Sequence, residues 1–364
     1  MIPSYQILLG NDFEGMSDKA FWMEEMRLAE LTEPLGFSSI WCVEHHFDSP
    51  YSMSPDNLQV LAYLAGRTQR ISLTTGAIIL PWNDPLRVAE KIVVLDYLSN
   101  GRFQVGFGRG LAKMEYQRFG IDMNEARERF DEAAEIILEA LRTGVMEADG
   151  KYYKQPRAEI SPVPVRDFRD SLRCIAMSPD SLYAAAKLKA RMATFIQFPI
   201  EQHAEMIDIY RGHYRELNGE DAPPPTLTEF VYCHQDPDVA AAVARERMAR
   251  YFVNVTRHYN LDGGHFAETN GYQAYSALSD MINEAGLSEM AAAFCESQTY
   301  GTPEQILETV RHKRSVVGEY DLNCVFSYAG MPFDQAEASM RLFSETVMPE
   351  LAAMSTQPAA AVTG

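Results

Sequence analysis

Short apolar runs alternate with amphipathic helical patterns along almost the whole chain. The run at residues 39–44 is apolar on both faces, as expected of a parallel strand buried under helices. The helical pattern is clearest at residues 130–141, where apolar side chains recur at i, i+3, i+4, i+7, i+8 and i+11. Eight strands are predicted in this way, at residues 5–9, 39–44, 71–80, 103–107, 172–176, 193–198, 226–234 and 323–327.

Capping residues indicate where several of the helices between these strands begin. Ser17 or Asp18 can cap a helix that runs from about residue 17 to residue 35. Thr302 and Gln305 have the spacing of a capping box, with Pro303 at the first helical position. Further helices are predicted at residues 87–98 and at about 333–349.

Eight alternations of strand and helix, without a cluster of hairpin turns, favour a parallel sheet. Because eight strands close a barrel, we predict a (β/α)8 TIM barrel that forms one domain over residues 1–351. The alternative is an open doubly wound sheet, which usually has fewer strands. The segment at about 255–300 is predicted to be an insertion before the last strand, of the kind that often forms a lid or mobile loop. Residues 352–364 are small and polar and are predicted to form a disordered tail.

Composition narrows the classes of function. The 364 residues are 46% hydrophobic and 23% charged, the balance of a globular protein with a large core. With 32 Lys and Arg against 51 Asp and Glu, the net charge is −19, which argues against non-specific binding to nucleic acid or to an anionic membrane. An anionic cofactor is not excluded, because a few cations and backbone amides can hold one phosphate.

The five cysteines are scattered and never stand at CxxC spacing, which indicates reduced, buried thiols and no disulfide framework. The first ten residues contain no basic n-region and no small-residue cleavage site. No uncharged apolar stretch approaches the roughly 18–20 residues that a spanning helix needs. We therefore expect a cytoplasmic protein.

Two histidines follow the second predicted strand, at the end of the barrel where loops usually carry chemistry. Alternation along the chain sends His45 to the side opposite Glu44 and His46. Adjacent histidines lack the spacing of a metal site and the other six show no ligand spacing, so no metal is predicted. His45 is either a general acid/base or hydrogen-bond donor, or both rings are structural and packed beneath a loop.

A second candidate site follows the fourth and fifth predicted strands. In Gly108-Arg109-Gly110, two glycines allow a ligand to approach the backbone while the guanidinium binds a phosphate. Ser178 and Ser181 stand where the next helix begins and can present hydroxyls beside its free N–H groups. Either feature alone could be an ordinary turn or helix cap. On neighbouring loops, the two together predict a phosphate site.

Several ordered segments resemble the bacterial luciferase-like, flavin-dependent monooxygenases, and most closely the luciferase alpha-subunit branch. The resemblance extends over most of the chain. It is carried by residues 41–47 (WCVEHHF), 75–81 (TGAIILP), 84–110 (DPLRVAEKIVVLDYLSNGRFQVGFGRG), 119–123 (FGIDM) with Arg127, 175–181, 301–304 and 339–351 (SMRLFSETVMPEL).

This resemblance implies a TIM barrel that binds FMN at the C-terminal ends of its strands. His45 matches the family histidine that supports formation and use of the flavin hydroperoxide, and Arg109 matches the phosphate-binding arginine. Ser178 and Ser181 match the hydroxyls and amides at the phosphate, and the backbone of Met177 is expected along the cofactor. All of these roles are expectations from the resemblance.

Two further features are implied in the same way. Gly76 and Ala77 match a place where the family has a cis peptide beneath the isoalloxazine ring, and the insertion matches a mobile active-site loop. Three positions depart from the luciferase branch: Met177 replaces a glutamate, Ala112 replaces a tyrosine, and Ile196 falls near a tryptophan position. Because these changes alter the pocket wall, neither the luciferase substrate nor light emission is implied.

The resemblance therefore implies a two-component monooxygenase, supplied with reduced FMN by a separate reductase. It would oxygenate a small hydrophobic aldehyde or ketone with O2, and the barrel would exclude water. A two-chain assembly is implied by the family: a homodimer is expected, and a pair with a second subunit is the alternative. Two alternatives remain: a deazaflavin-dependent hydride-transfer enzyme on the same barrel, and a non-catalytic partner subunit, against which the presence of His45, Arg109 and both serines argues.

Overall fold

The eight predicted apolar runs correspond to eight barrel strands in a computed structural model that describes residues 1–354. The strands are β1 Ser4–Ile7, β2 Ser39–Cys42, β3 Ser72–Thr75 with Ile78–Ile79, β4 Phe103–Gln104 with Gly106–Gly108, β5 Arg173–Ile175, β6 Arg191–Phe195, β7 Thr226–Cys233 and β8 Asp321–Val325. Each strand lies within about three residues of its predicted bounds. Their positions could be predicted because buried parallel strands are apolar on both faces.

The strands form a closed ring. Each of β1 to β7 pairs in parallel with the next strand along the chain, and β8 pairs in parallel with β1. The two parts of β3 pair with the two parts of β4, so the ring has no open edge at that point. The predicted (β/α)8 TIM barrel is confirmed, and the open doubly wound sheet is wrong.

The third predicted strand, residues 71–80, is interrupted where the sequence suggested one run. The Gly76–Ala77 peptide bond is cis, as the resemblance implied, and it separates the two parts of β3. Next to the break, Thr75 Oγ1 accepts a 2.8 Å hydrogen bond from the Gly106 amide of β4. A Cβ on Gly106 would lie 2.1 Å from the Thr75 carbonyl oxygen, so only glycine allows this approach of the two strands.

Helices surround the barrel and begin at the residues that their caps predicted. Ser17 Oγ accepts from the Ala20 amide at the start of the first helix, and Thr302 with Gln305 forms the predicted capping box. The apolar stripe at residues 130–141 is buried against the barrel. The helices are α1 Asp18–Leu31, α2 Asn57–Ala65, α3 Pro85–Leu98, α4 Lys113–Phe119, α5 Ala126–Thr143, α6 Pro179–Lys187, α7 Ile200–Asn218, α8 Pro237–Tyr259, α9 His265–Glu268, α10 Ser276–Ala285, α11 Leu287–Glu296, α12 Pro303–Val317, α13 Phe333–Leu342 and α14 Met348–Met354.

The insertion differs from its predicted start at residue 255. Its first five residues still belong to α8, and the remainder forms α9, α10, α11 and a short strand, Thr299–Gly301, that pairs with the end of β7. Val255 is buried within α8, which explains why the helix continues beyond the predicted boundary. The segment is therefore mainly helical.

Two antiparallel hairpins lie outside the barrel, although the sequence showed no clear hairpin signal. One pairs His45–Asp48 with Ser52–Ser54, and the other pairs Val145–Asp149 with Lys154–Glu159. Their strands are polar and mostly not buried, so the apolar pattern could not reveal them.

The end of the chain is ordered further than predicted. Residues 352–354 complete α14, where Arg314 Nη1 donates to the Met354 carbonyl at 2.9 Å. The rest of the predicted disordered tail lies outside the described residues. Within residues 1–354, no helix is long and apolar enough to cross a membrane.

Candidate active site

A deep pocket opens at the carboxyl ends of the barrel strands. Its wall includes the segments that follow β2, β3, β4 and β5, the last residues of β6, and side chains from β7, α8 and the insertion. Its empty volume is about 1240 Å³, which includes the open mouth. This is the end of the barrel where barrel enzymes carry their active sites.

The structure brings the predicted site residues together at this pocket. Six of the seven line it directly: His45, Gly76, Ala77, Arg109, Met177 and Ser181. The seventh, Ser178, lies behind Ser181, and their hydroxyl oxygens are 3.0 Å apart. Residues from four different loops therefore converge on one cavity, as the sequence predicted.

Arg109 is buried at the pocket, and the protein provides hydrogen-bond acceptors for only some of its guanidinium N–H groups. Its Nη2 donates to the Gly271 carbonyl at 2.8 Å, and its guanidinium lies 3.8 Å above the ring centre of Tyr272. Its Nη1 is buried and has no hydrogen-bond partner within residues 1–354. A buried charged donor without a partner is costly, so this nitrogen is suited to an anionic ligand.

The N-terminus of α6 lies beside this guanidinium. A Cβ placed on Gly271 would lie 2.7 Å from Arg109 Nη1 and 3.1 Å from Asp180 Oδ2, which belongs to the first turn of α6. Ser181 Oγ accepts from the amides of Met177 and Ser178, at 3.0 and 2.8 Å, and so orders this turn. The Asp180 side chain is exposed and can turn to solvent when an anion binds.

Glu44 holds the opposite wall of the pocket in place. Its buried carboxylate accepts hydrogen bonds from the Ile79 amide at 3.0 Å, from Trp82 Nε1 at 2.7 Å and from Asn83 Nδ2 at 2.9 Å. His46 Nε2 lies 3.3 Å from the same carboxylate. The predicted alternation is confirmed, because Glu44 and His46 face each other while His45 points elsewhere.

His45 stands between a carboxylate and a tyrosine. Its Nδ1 lies 3.3 Å from Glu115 Oε1, and its Nε2 lies 3.3 Å from the Tyr259 hydroxyl. Burial lowers the pKa of the His45 imidazole, and the nearby Glu115 carboxylate offsets this only in part. His45 is therefore neutral near pH 7 and can accept a proton.

A second histidine completes this cluster. His258 Nε2 lies 3.5 Å from Glu115 Oε1, and His258 Nδ1 lies 3.3 Å from Asp48 Oδ2. Burial alone would raise the pKa of Glu115, but His45 and His258 together hold it well below its usual range. Burial opposes the charge on His258, but Asp48 and Glu115 outweigh this and raise its pKa.

The sequence did not mark Glu115, His258 or Tyr259. Glu115 is separated from His45 by 70 residues, and Tyr259 by 214. The histidines were judged by spacing along the chain, which cannot detect ligands or partners that tertiary folding brings together. One signal was available: Glu115 follows the Arg109 loop closely and is an acidic residue on a short helix at the active end of the barrel.

The same three side chains could be considered as a metal site. The ligand atoms of His45, Glu115 and His258 all lie within 4.8 Å of one another. A cation is not needed to explain the arrangement, because a protonated His258 can supply positive charge beside the Glu115 carboxylate while His45 Nδ1 can donate to it. We therefore interpret it as a cluster held by hydrogen bonds and by the charge of His258.

Beyond His45, the pocket becomes aromatic and apolar. Its inner wall is formed by side chains of β6, β7, α8 and the insertion, including Phe195, Phe198, Phe230, Phe252 and Phe294. Such a wall excludes water and binds hydrophobic ligands. The pocket thus combines an anion-binding side, a histidine and an apolar chamber.

A closed parallel barrel with a pocket at the carboxyl ends of its strands is the architecture of (β/α)8-barrel enzymes, and comparison with known proteins identifies the family. Residues 5–319 match the family model described as luciferase-like monooxygenase, so the chain belongs to this family.

Individual relatives agree with this assignment. The alkanal monooxygenase alpha chain of Photobacterium leiognathi is 26% identical over 336 residues, which span 90% of this chain and 92% of that relative. A solved monooxygenase from Streptomyces bottropensis superposes with a TM-score of 0.77 at 25% identity, covering 96% of this chain and all of the other. The oxygenating constituent of 3,6-diketocamphane monooxygenase from Pseudomonas putida, solved with FMN, gives a TM-score of 0.73 over 96% of this chain and 98% of its own. At 17% identity, this last likeness shows the fold alone.

Proposed function

We propose that this chain is the oxygenating component of a two-component monooxygenase, which uses reduced FMN and O2 to oxygenate a small hydrophobic aldehyde or ketone. The observation that carries the proposal is the Arg109 guanidinium, which is buried at the pocket with Nη1 unpartnered. It lies beside the N-terminus of α6, where the helix dipole also favours an anion. These groups fit a phosphate.

The residues around the pocket also fit the rest of FMN. Arg109 and the first turn of α6, with Ser178 and Ser181, would hold the phosphate. The backbone at Gly76 and Ala77 would support the flat ring system from one side, because neither residue carries a side chain larger than a methyl group. When bound, reduced FMN would supply two electrons to O2, so that one oxygen atom enters the substrate and the other leaves as water.

His45 is the group of this chain that would move a proton. Its Nδ1 faces an ionised carboxylate, and its Nε2 faces the Tyr259 hydroxyl at the pocket. A neutral imidazole with this orientation can accept a proton at Nε2 and return it, without a change of side-chain position. The apolar wall beyond it would bind a hydrophobic carbonyl compound and keep water away from the reaction.

The proposal includes the setting in which the chain works. A separate flavin reductase would supply reduced FMN, and the chain would act as a homodimer in the cytoplasm. The five cysteines support a reducing compartment, because all of them are buried and unpaired in the structure. The net charge of −19 supports a small-molecule substrate and not a nucleic acid.

Isotope incorporation tests the proposed reaction. The purified chain would be supplied with FMN, an independent flavin reductase, NADH and ¹⁸O2, together with a panel of aliphatic and aromatic aldehydes and ketones. Catalase would be included to remove free hydrogen peroxide. We expect an acid or ester product that carries one ¹⁸O atom, detected by mass spectrometry.

Variants and cofactor exchange give the test its controls. His45→Ala should lower product formation by about 100-fold or more, the usual contribution of a positioned acid or base, whereas the exposed His312→Ala should not. Oxygen-independent reduction of a ketone with the reduced deazaflavin F420 would contradict the proposal and favour the hydride-transfer enzyme. Absence of turnover with either cofactor would instead favour a non-catalytic partner subunit.

A further inference from the structure

A chain of polar contacts runs from the pocket through His45 to the protein surface. The Tyr51 hydroxyl donates to the Tyr259 hydroxyl at 2.9 Å, and Tyr259 in turn lies 3.3 Å from His45 Nε2. On its other side, His45 faces Glu115, Glu115 faces His258, and His258 pairs with Asp48. Asp48 is held at the surface by the exposed Arg257, at 3.0 Å.

The contacts of Glu115 decide the tautomer of His45. Glu115 Oε1 also accepts the His46 backbone N–H at 2.7 Å, so this oxygen acts as an acceptor. His45 Nδ1 must therefore carry the proton that it shares with Glu115, because two acceptors cannot form a hydrogen bond. Its Nε2 is then free of a proton and accepts from the Tyr259 hydroxyl, which is consistent with Tyr259 accepting from Tyr51.

His258 has a carboxylate on each side. Its side chain is fully buried, its two nitrogens face Asp48 and Glu115, and the Tyr51 ring stacks on it with ring centres 4.2 Å apart. It belongs to the last turn of α8, where the helix dipole favours a positive charge. His258 Nδ1 is within hydrogen-bond distance of Asp48, whereas Nε2 has no hydrogen-bond partner among the described residues and interacts with Glu115 only through charge, at 3.5 Å. A doubly protonated imidazole places a positive charge between the two carboxylates.

We infer that His258 is a positioning residue for His45. Paired with Asp48, it keeps Glu115 as the acceptor of the His45 Nδ1 proton, and so leaves His45 Nε2 without a proton at the pocket. This role rests on the proposed function of His45 as the proton-moving group. It assigns to α8 a residue that acts through Glu115 without touching a ligand. The carboxylate orients the imidazole in the way that carboxylates orient histidines in other proteins.

The electrostatics of the cluster give the direction of the expected change. The charged and titratable groups around His45 are Glu115, His46, His258, Tyr51 and Tyr259, and those around His258 are Asp48, Glu115, His45, Tyr51 and Tyr259. The positive charge of His258 lowers the pKa of His45, whereas Glu115 raises it. Burial and His46 continue to lower the His45 pKa when the His258 charge is removed, but one lowering influence is lost, so the His45 pKa should rise and Nε2 should be protonated more readily.

Nuclear magnetic resonance of the whole chain with ¹⁵N-labelled histidine tests this inference without any cofactor. The His45 signals are assigned with His45→Asn. In the unmodified protein we expect the neutral Nδ1–H tautomer at pH 7. In His258→Gln the His45 pKa should rise by about one unit or more, as is usual when a charge within a few ångströms is lost. His312→Gln makes the same chemical change on the surface and should leave His45 unaltered.

A second pair of variants keeps the test decisive if His258→Gln does not fold. Asp48→Asn removes the charge that pairs with His258 and should also raise the His45 pKa. Asp48→Glu retains the charge and should leave the His45 pKa as it is in the unmodified protein. An unchanged His45 tautomer and pKa in both His258→Gln and Asp48→Asn would overturn the inference.

Activity then separates this inference from the proposed function. If the chain oxygenates carbonyl compounds, the acidic limb of its pH profile for kcat/KM should move to higher pH in His258→Gln, in parallel with the His45 pKa. If the chain does not oxygenate carbonyl compounds, the proposed function fails, but the resonance measurement of the His45 tautomer and pKa still tests the role of His258. A pH profile that stays fixed while the His45 pKa moves would contradict the role of His258 in the reaction.

Discussion

At the residue scale, two buried carboxylates, those of Glu44 and Glu115, hold the segments around the pocket in position. Glu44 accepts three hydrogen bonds from the segment that follows β3 and so connects the end of β2 with that segment. Glu115 likewise links the hairpin that carries His45 with α8. Buried carboxylates with several donors fix the positions of the residues around them, because each lost donor would be left unsatisfied.

Glu44→Gln tests this function of Glu44. An amide can accept at only one of its two ends, so at least one of the Ile79, Trp82 and Asn83 donors would lose its acceptor. We expect a loss of about 1–3 kcal/mol in the free energy of unfolding, measured by urea denaturation. Glu30→Gln, on a surface carboxylate that binds Arg67, should cost under about 1 kcal/mol. Equal losses in the two variants would contradict this account.

The residues of the site divide by how they could be found from sequence. His45, Arg109 and Ser181 stand at strand ends beside glycines, prolines or cap positions, and such local signals can be read from the chain. Glu115 and His258 have meaning only through each other and through His45, across sequence distances that no local pattern covers. Glu115 and His258 could therefore be identified only from the tertiary contacts in the structure.

At the element scale, the barrel was predictable and its irregularities were not. Apolar runs identified the eight strands, but the break in β3 depends on how closely Thr75 and Gly106 approach, which is a property of two strands together. The hairpin of His45–Asp48 with Ser52–Ser54 was missed because its strands are short, mostly polar and without a run of apolar residues. The insertion was expected to begin at about residue 255, whereas α8 continues to Tyr259 and ends at Asn260, which has a left-handed conformation.

A comparison of two glycines separates the stability cost of close packing from that of a left-handed backbone conformation. Gly110, next to Arg109, has φ of +81° and its Cβ would lie 2.8 Å from Trp82, whereas Gly120 has φ of +70° and open space around it. Gly120→Ala should cost about 1 kcal/mol in the free energy of unfolding, for the left-handed conformation alone. Gly110→Ala should cost clearly more, because Trp82 must also move. Thermal and urea unfolding of both variants measure the difference, and equal costs would show that the packing at Gly110 is unimportant.

The contact of α1 with the segment that follows β8 predicts that the free energy of unfolding depends on pH. Glu25 of α1 is fully buried beside Ser327, whose hydroxyl donates to it, and burial raises the pKa of Glu25 to about 7. In the unfolded chain a glutamate titrates near about 4.3. The folded state therefore favours protonated Glu25, and the stability from this group is complete below the unfolded pKa and is lost as the pH rises through about 7.

Glu25→Gln removes this titration while keeping the shape of the side chain. Relative to the unmodified protein, its free energy of unfolding should rise by about 2 kcal/mol between pH 5 and pH 8. Urea denaturation at several pH values measures this difference, and Glu24→Gln, which removes a charge from the solvent side of the same turn, is the control. A difference that does not vary with pH would contradict the buried, protonated state of Glu25.

At the scale of the whole molecule, the fold brings the buried Arg109 guanidinium, His45 and an apolar chamber to one end of a single barrel. Four loops supply the polar groups, and the insertion adds both the Gly271–Tyr272 contact on Arg109 and part of the apolar wall. The insertion thus connects the proposed cofactor end of the pocket with the proposed substrate end. This arrangement is what the membership of the luciferase-like monooxygenase family leads us to expect of an oxygenating component.

The most direct test of this account is an anaerobic titration of the chain with reduced FMN, reduced riboflavin and reduced F420, with Arg109→Met measured in parallel. We expect FMN to bind at least about 10-fold more tightly than riboflavin, which lacks the phosphate, because a charged hydrogen bond contributes about 1.5–3 kcal/mol. Arg109→Met should weaken FMN binding by about 10-fold or more and leave riboflavin binding unchanged, while Arg142→Met on the surface of α5 should alter neither. Equal binding of FMN and riboflavin by the unmodified protein, or tighter binding of F420 than of FMN, would contradict the assignment of this pocket to FMN.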